Sequence, residues 1–356
     1  MSYPFSAIWI NGRDVSLESI AHETARSDFE KNTFQFIEQW FGGQPDFTMT
    51  TSGSTGTPKP IVASKEQMTT SAKLTTQALG LKKNWNALVC LDTKYIAGKM
   101  MLVRSFVAGM KIFCVEPTAN PFQKLPESLL INFTALVPYQ IQNILETNAK
   151  PLNEVDRIII GGAPLDADTR MKLDDHSSPC YATYGMTETL SHVALQRLNG
   201  PEKQNYFQTL PDISIRSDQR GCLAIKTSFL SDEIITNDIV EIISPKQFRW
   251  LGRWDNVINS GGIKVIPEKI EEKLEEIFRR LNIKNRFFIH GIPDRVLGHK
   301  VVLVLEGHSG LPGLLERVQN DLRLSFTAYE IPREILIVPQ FWLTSTGKIN
   351  RLKSIF

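Results

Sequence analysis

Four short apolar runs constrain this chain more than any other feature: NALVCLD (86–92), KIFCVEP (111–117), FTALVPY (133–139) and DRIIIGG (156–162). Their apolarity is continuous rather than alternating. Each therefore predicts a strand covered on both faces, as in a parallel sheet lying under helices. Polar segments of helical spacing accompany them, SKEQMTTSAKLTTQAL (64–79) among them, and such alternation predicts an α/β domain.

After about residue 200 the texture changes. GCLAIKT, EIITNDIVEII and KQFRWLGRW read as short strands joined by tight turns. PEKIEEKLEEIFRRL (267–281) opens with proline in the first turn and sets Ile270, Leu274, Ile277 and Leu281 on one face, which predicts an amphipathic helix. RFFIHGI, VVLVLEG, GLLERVQNDLRL and EILIVPQF complete a small α+β unit. With 356 residues, about two domains are expected. They are a large α/β N-terminal domain over 1–254, with parallel-rich sheets, helices and a small β subdomain, and a small α+β C-terminal domain over 255–356, with the boundary near Asp255.

Charge and cysteine usage exclude several classes. The net charge is only +2, with 40 basic and 38 acidic residues and no long run of one sign, which argues against a nucleic-acid partner. Cys90, Cys114, Cys180 and Cys222 form no CxxC pair and read as small buried hydrophobes. The opening MSYPFSAIWINGRD lacks the pattern of a signal peptide, and no apolar run approaches membrane-spanning length. A cytoplasmic protein without membrane insertion is expected. HExxH and GxSxG are absent, so zinc and hydrolase readings are weak.

The stretch TTSGSTGTPK (50–59) suggests a phosphate cradle, because glycines let backbone N–H groups turn inward while hydroxyls and a lysine add donors. It fits neither GxxxxGK[ST], since Pro58 stands five residues after Gly53, nor GxGxxG. It does resemble the phosphate loop of the adenylate-forming superfamily of acyl-CoA ligases, adenylation domains and luciferases. Four further matches follow in that superfamily's order: GGAPL (161–165), YGMTE (184–188), TND (236–238) with GRWDNVINSGGIKVIPEKIE (252–271), and STGKINR (345–351).

The resemblance implies roles residue by residue. Thr51, Ser52, Gly53, Ser54, Thr55, Gly56 and Lys59 would hold the β- and γ-phosphates of ATP. Gly161, Gly162 and Ala163 would line the adenine pocket, with Tyr184 stacked on the ring and Gly185 and Met186 beside it. Thr187 would lie near the α-phosphate and Glu188 on Mg2+. Asp238 would accept the ribose hydroxyls and Arg253 would assist; the superfamily usually has glycine where Asn237 stands. Asp255 matches the hinge, and Gly261 and Gly262 the glycines near the pantetheine channel of coenzyme A. Lys348 would bridge the substrate carboxylate and the α-phosphate as charge develops there.

The phosphate loop begins at residue 50, whereas most members place a larger subdomain before it. That compactness resembles the o-succinylbenzoate–CoA ligases of menaquinone biosynthesis. In KYIAGKMMLVRSFVAG (94–109), Tyr95 and Ala97 replace the histidine and serine of those ligases, while Gly98 and Arg104 remain. Arg104 would pair with a substrate carboxylate and Lys99 would assist; a charge on the helix surface is the other reading of Arg104. His192, in TLSHVA, would either touch the acid or pack within a helix. The expected activity is ATP-, Mg2+- and coenzyme A-dependent ligation of a small carboxylic acid, with o-succinylbenzoate preferred. Other aryl- or acyl-CoA ligases, a carrier-loading adenylation enzyme and a non-catalytic nucleotide sensor or scaffold are the alternatives, and a homodimer stays open.

Overall fold

The computed structural model describes residues 6–50, 60–343 and 349–355. They divide into two compact units, Met1–Ile215 with Ile225–Ile234 and Ser244–Gln247, and Arg216–Ala224 with Ile235–Ile243 and Phe248–Phe356. The units do not follow one cut in sequence: 216–224 and 235–243, expected in the larger domain, group with the C-terminal residues.

All four apolar runs form strands of the first unit. Ala7–Ile10, Lys111–Cys114, Asn86–Val89, Phe133–Leu136, Arg157–Ile160 and Cys180–Gly185 lie side by side in that order, every neighbouring pair parallel. Antiparallel strands extend both ends: Arg13–Ser16 beside the first, then His192–Arg197 and Phe207–Thr209 beyond the last. Leu88, Leu136, Ile158 and Ile160 are buried in one core with Ile141 and Ile144 of the helix Pro138–Thr147. The alternate residues Ala87, Val89, Ala135 and Ile159 are buried as well, so both faces are covered, as continuous apolar runs require. The polar segment at 64–79 becomes the helix Lys65–Leu79. The Ser64 hydroxyl accepts from the Gln67 N–H and the Gln67 side chain accepts from the Ser64 N–H, so two end donors are satisfied. Gly80 ends it in the left-handed conformation, φ +61°.

Ile234–Ser244 lies between Cys222–Lys226 and Gln247–Arg253. A separate five-stranded sheet comprises Ile258–Ser260, Ile263–Val265, Phe287–Asp294, Gly298–Glu306 and Ile335–Val338. The predicted amphipathic helix spans Pro267–Arg280 and buries Ile270, Leu274 and Ile277 with Leu303, Val318 and Leu322. Leu281 falls just past its end, half-buried against the same core. Among the described residues no helix is long and apolar enough to cross a membrane.

Candidate active site

In the first unit, the strand Arg157–Ile160 runs into Gly161, Gly162 and Ala163. A Cβ at Gly161 would come 2.3 Å from Thr183 Oγ1, and Thr183 donates to the Ile160 carbonyl at 3.1 Å, so the turn lies against its neighbour strand. Gly162 has φ +93°, backbone that favours glycine. Tyr184 is half-buried near the end of Cys180–Gly185, its ring centroid 5.7 Å from that of Phe207. A Cβ at Gly185 would sit 2.4 Å from both the Ser191 carbonyl oxygen and His192 Cα, where the register of the pairing shifts.

Met186 leads into the tight turn Thr187–Thr189, on which Thr187 is half-buried and Glu188 exposed. The Thr189 hydroxyl closes the turn, accepting the Met186 N–H at 2.9 Å and lying 2.7 Å from the Ser191 carbonyl oxygen. Leu190 next to it is buried yet has φ +63°, a conformation that costs a non-glycine residue. The chain thus bends sharply between the exposed Glu188 and Ser191.

The substrate segment is a helix, Ile96–Ala108, preceded by Tyr95, which is exposed. Gly98 is buried, and a Cβ there would come 2.5 Å from the Asp92 carbonyl oxygen; close packing is its role here. Lys99 donates to the Lys94 carbonyl at 2.9 Å and lies over the Phe36 ring. Burial lowers its pKa, opposed by the charge of Asp92.

Arg104 is not a surface charge: only 2% of it is exposed. Its Nη2 donates to Ser191 Oγ and approaches His192 Nδ1 at 3.4 Å, while Nε is buried without a partner. No carboxylate among the described residues pairs with it, and burial pulls its pKa down to about 9. His192 begins the strand His192–Arg197, which corrects the expectation that it would pack within a helix. Its pKa lies well below the ordinary 6.5, because burial and then the charge of Arg104 oppose protonation, and the ring is neutral. On its other side Nε2 is 3.1 Å from Thr75 Oγ1. Sequence reasoning missed Thr75 and Ser191. The available signal was a hydroxyl in the buried stripe Met68, Ala72, Thr75, Leu79.

The second unit holds the other set. Asp238 is buried; Trp250 Nε1 donates to its Oδ1 at 3.1 Å and Arg253 Nη1 lies 3.3 Å from the same oxygen. Arg253 also reaches Asp255 Oδ2 with Nη2 at 2.8 Å. Burial lowers its pKa, but the carboxylates of Asp238 and Asp255 reverse this and leave it raised. Asn237 donates to Asp255 Oδ1 at 3.1 Å and accepts from Arg220 at 2.9 Å, so this asparagine joins a charged network. Gly261 and Gly262 are exposed with φ +59° and +82°, and a Cβ at Gly261 would come 2.6 Å from the Tyr329 ring.

Thr51, Ser52, Gly53, Ser54, Thr55, Gly56, Lys59 and Lys348 lie outside the described residues. A cavity of about 550 Å³ in the first unit, lined by Tyr181, Arg197, Tyr206 and Gln208, includes none of the expected site residues.

The 2-succinylbenzoate–CoA ligase of Listeria monocytogenes is 23% identical over 354 residues, covering 93% of this chain and 73% of its own. A probable 2-succinylbenzoate–CoA ligase of Mycobacterium tuberculosis is 26% identical over 324 residues, covering 85% and 82%. Among solved structures, an acyl-CoA synthetase (AMP-forming)/AMP-acid ligase II-like protein from Dyadobacter fermentans is 40% identical, with TM-score 0.65 and coverage of 96% and 98%. An o-succinylbenzoate CoA synthetase from Bacillus subtilis, in complex with its acyl-adenylate, shares the fold at 18% identity, with TM-score 0.71 and coverage of 86% and 68%. Residues 8–216, more than half of the chain, match the AMP-binding enzyme family. A match over that share of the sequence shows that the chain belongs to the AMP-binding enzyme family.

Proposed function

We propose that the chain is an ATP-dependent, cytoplasmic acid–CoA ligase whose acid carries a second carboxylate, 2-succinylbenzoate being the preferred substrate. One observation carries the choice of acid. Among the described residues only neutral groups hold the buried cation of Arg104, and a buried charge of this kind is costly until an anion joins it. A planar guanidinium suits a carboxylate. Relatives that bear the name 2-succinylbenzoate–CoA ligase support the same reading. Four free, buried thiols fit a reducing compartment.

In the first half-reaction the other carboxylate of the acid attacks the α-phosphorus, the bond to pyrophosphate breaks, and an acyl-adenylate forms. Lys348 stabilises the charge that develops between the two anions, and Thr187 lies near the α-phosphate. Thr51, Ser52, Gly53, Ser54, Thr55, Gly56 and Lys59 hold the departing phosphates. Tyr184 and the Gly161–Ala163 turn take the adenine, and Asp238 with Arg253 takes the ribose. Glu188, exposed on its turn, is the carboxylate that fits Mg2+, an ion usually bound by one or two carboxylates plus substrate phosphates. Mg2+ supplies neutralisation of phosphate charge. In the second half-reaction the chain pivots at Asp255, Gly261 and Gly262 border the pantetheine, and the CoA thiol displaces AMP to give the thioester.

Pyrophosphate release with ATP, CoA and a panel of aromatic and aliphatic acids tests this reading. Turnover is expected with 2-succinylbenzoate and at least tenfold lower kcat/KM with benzoate or hexanoate. Equal efficiency on monocarboxylic acids would reject the role given to Arg104, and ATP binding without turnover of any acid would favour a non-catalytic nucleotide sensor.

A further inference from the structure

Arg104, His192 and Thr75 form a chain of polar contacts whose proton positions can be argued from donor and acceptor chemistry. A guanidinium only donates. Its Nη2 faces His192 Nδ1, so that nitrogen carries a lone pair and the neutral imidazole carries its proton on Nε2. Nε2–H then donates to Thr75 Oγ1, 3.1 Å away. The Thr75 hydroxyl, with its oxygen occupied as acceptor, places its own proton on the Ser71 carbonyl at 3.3 Å, one turn back along the helix Lys65–Leu79. Ser71, Thr75, Arg104 and His192 are all buried. If Thr75 donated to Nε2 instead, the proton of the neutral ring would face Nη2, donor against donor.

We propose that Thr75 is a positioning residue for the acid: it selects the Nε2–H tautomer of His192, and the ring then aims the Arg104 guanidinium. The ligand served is an acid with a second anionic group, so the inference rests on the ligase reading for its kinetic consequence but not for its tautomer. Thr75→Val removes the hydroxyl at constant shape. The ring then loses its Nε2 acceptor and the Arg104 fork loses one constraint, while the groups that act at the α-phosphorus are untouched. Thr75→Ser keeps the hydroxyl.

Two measurements decide it on the full chain. In the 15N-histidine spectrum, with His192 assigned by the signal lost in His192→Gln, the native protein should show the Nε2–H pattern. An Nδ1–H pattern would overturn the proposal. In kinetics, Thr75→Val should raise KM for 2-succinylbenzoate about three- to tenfold with kcat within a factor of two, and Thr75→Ser should restore KM. Unchanged KM in Thr75→Val, or equal defects in the valine and serine variants, would also overturn it. If no acid is turned over by the native chain, the ligase reading fails, and the tautomer is still decided by the spectrum.

Discussion

Among single residues, Arg104 carries the most distinctive energetics. Its guanidinium is buried against Ser191 and His192, with no counter-charge among the described residues. Replacing such a group by an apolar side chain of similar length removes a desolvation cost of the folded state. Arg104→Met is therefore expected to keep or raise stability, by about 1 kcal/mol in a denaturant titration of the ligand-free protein. The same variant should lose roughly thirtyfold or more in kcat/KM for 2-succinylbenzoate, since one partner of a buried ion pair is missing at about 2 kcal/mol or more. A variant that is both unstable and fully active would show that Arg104 serves the fold rather than the acid. The sequence left Arg104 open between site and surface for a physical reason. Met100 to Phe106 are all buried, so the helix has no polar face along that stretch and its period cannot say where an arginine points. Roles could be proposed for Glu188 and Asp238 from the sequence because motif letters surround them. Thr75 was not, because a threonine in an amphipathic stripe differs from its neighbours only in a hydroxyl whose partner lies more than a hundred residues away.

Whole elements were easier to read, because burial repeats along them. The strands Asn86–Val89, Lys111–Cys114, Phe133–Leu136 and Arg157–Ile160 follow from continuous apolar runs, and the helix Pro267–Arg280 from the spacing of Ile270, Leu274 and Ile277 by four and then three residues. The strands Ala7–Ile10 and Arg13–Ser16, the second at the edge of the sheet, were not singled out in the sequence. Leu274 is fully buried among Val301, Leu303 and Val318, and a cavity there has no route to collapse without moving the sheet. Leu274→Ala should destabilise the second unit by about 2 to 5 kcal/mol, read as early loss of hydrogen-exchange protection in residues 258–338. A loss below about 1 kcal/mol would mean that the helix packs less tightly than its burial indicates.

For the molecule as a whole, the order of five motifs identified the family, while the compact units did not follow the expected cut at residue 255. Sequence texture records where a chain changes from α/β to shorter strands. Compactness instead follows pairing, and 216–224 and 235–243 group with residues that come after them. The network Arg220–Asn237–Asp255–Arg253–Asp238 shows why: residues expected on either side of a boundary are joined by charge-assisted hydrogen bonds within one unit. On the proposed reading these parts activate an acid with two carboxylates through an adenylate and pass it to a thiol. Mass spectrometry of a single-turnover mixture of the chain, ATP, Mg2+ and 2-succinylbenzoate tests it most directly. Without CoA, an acyl-adenylate should accumulate together with an equal amount of pyrophosphate, and added CoA should convert it to the thioester with release of AMP. Pyrophosphate and adenylate formed only from monocarboxylic acids, or ATP cleaved to ADP and phosphate with no adenylate, would contradict the account.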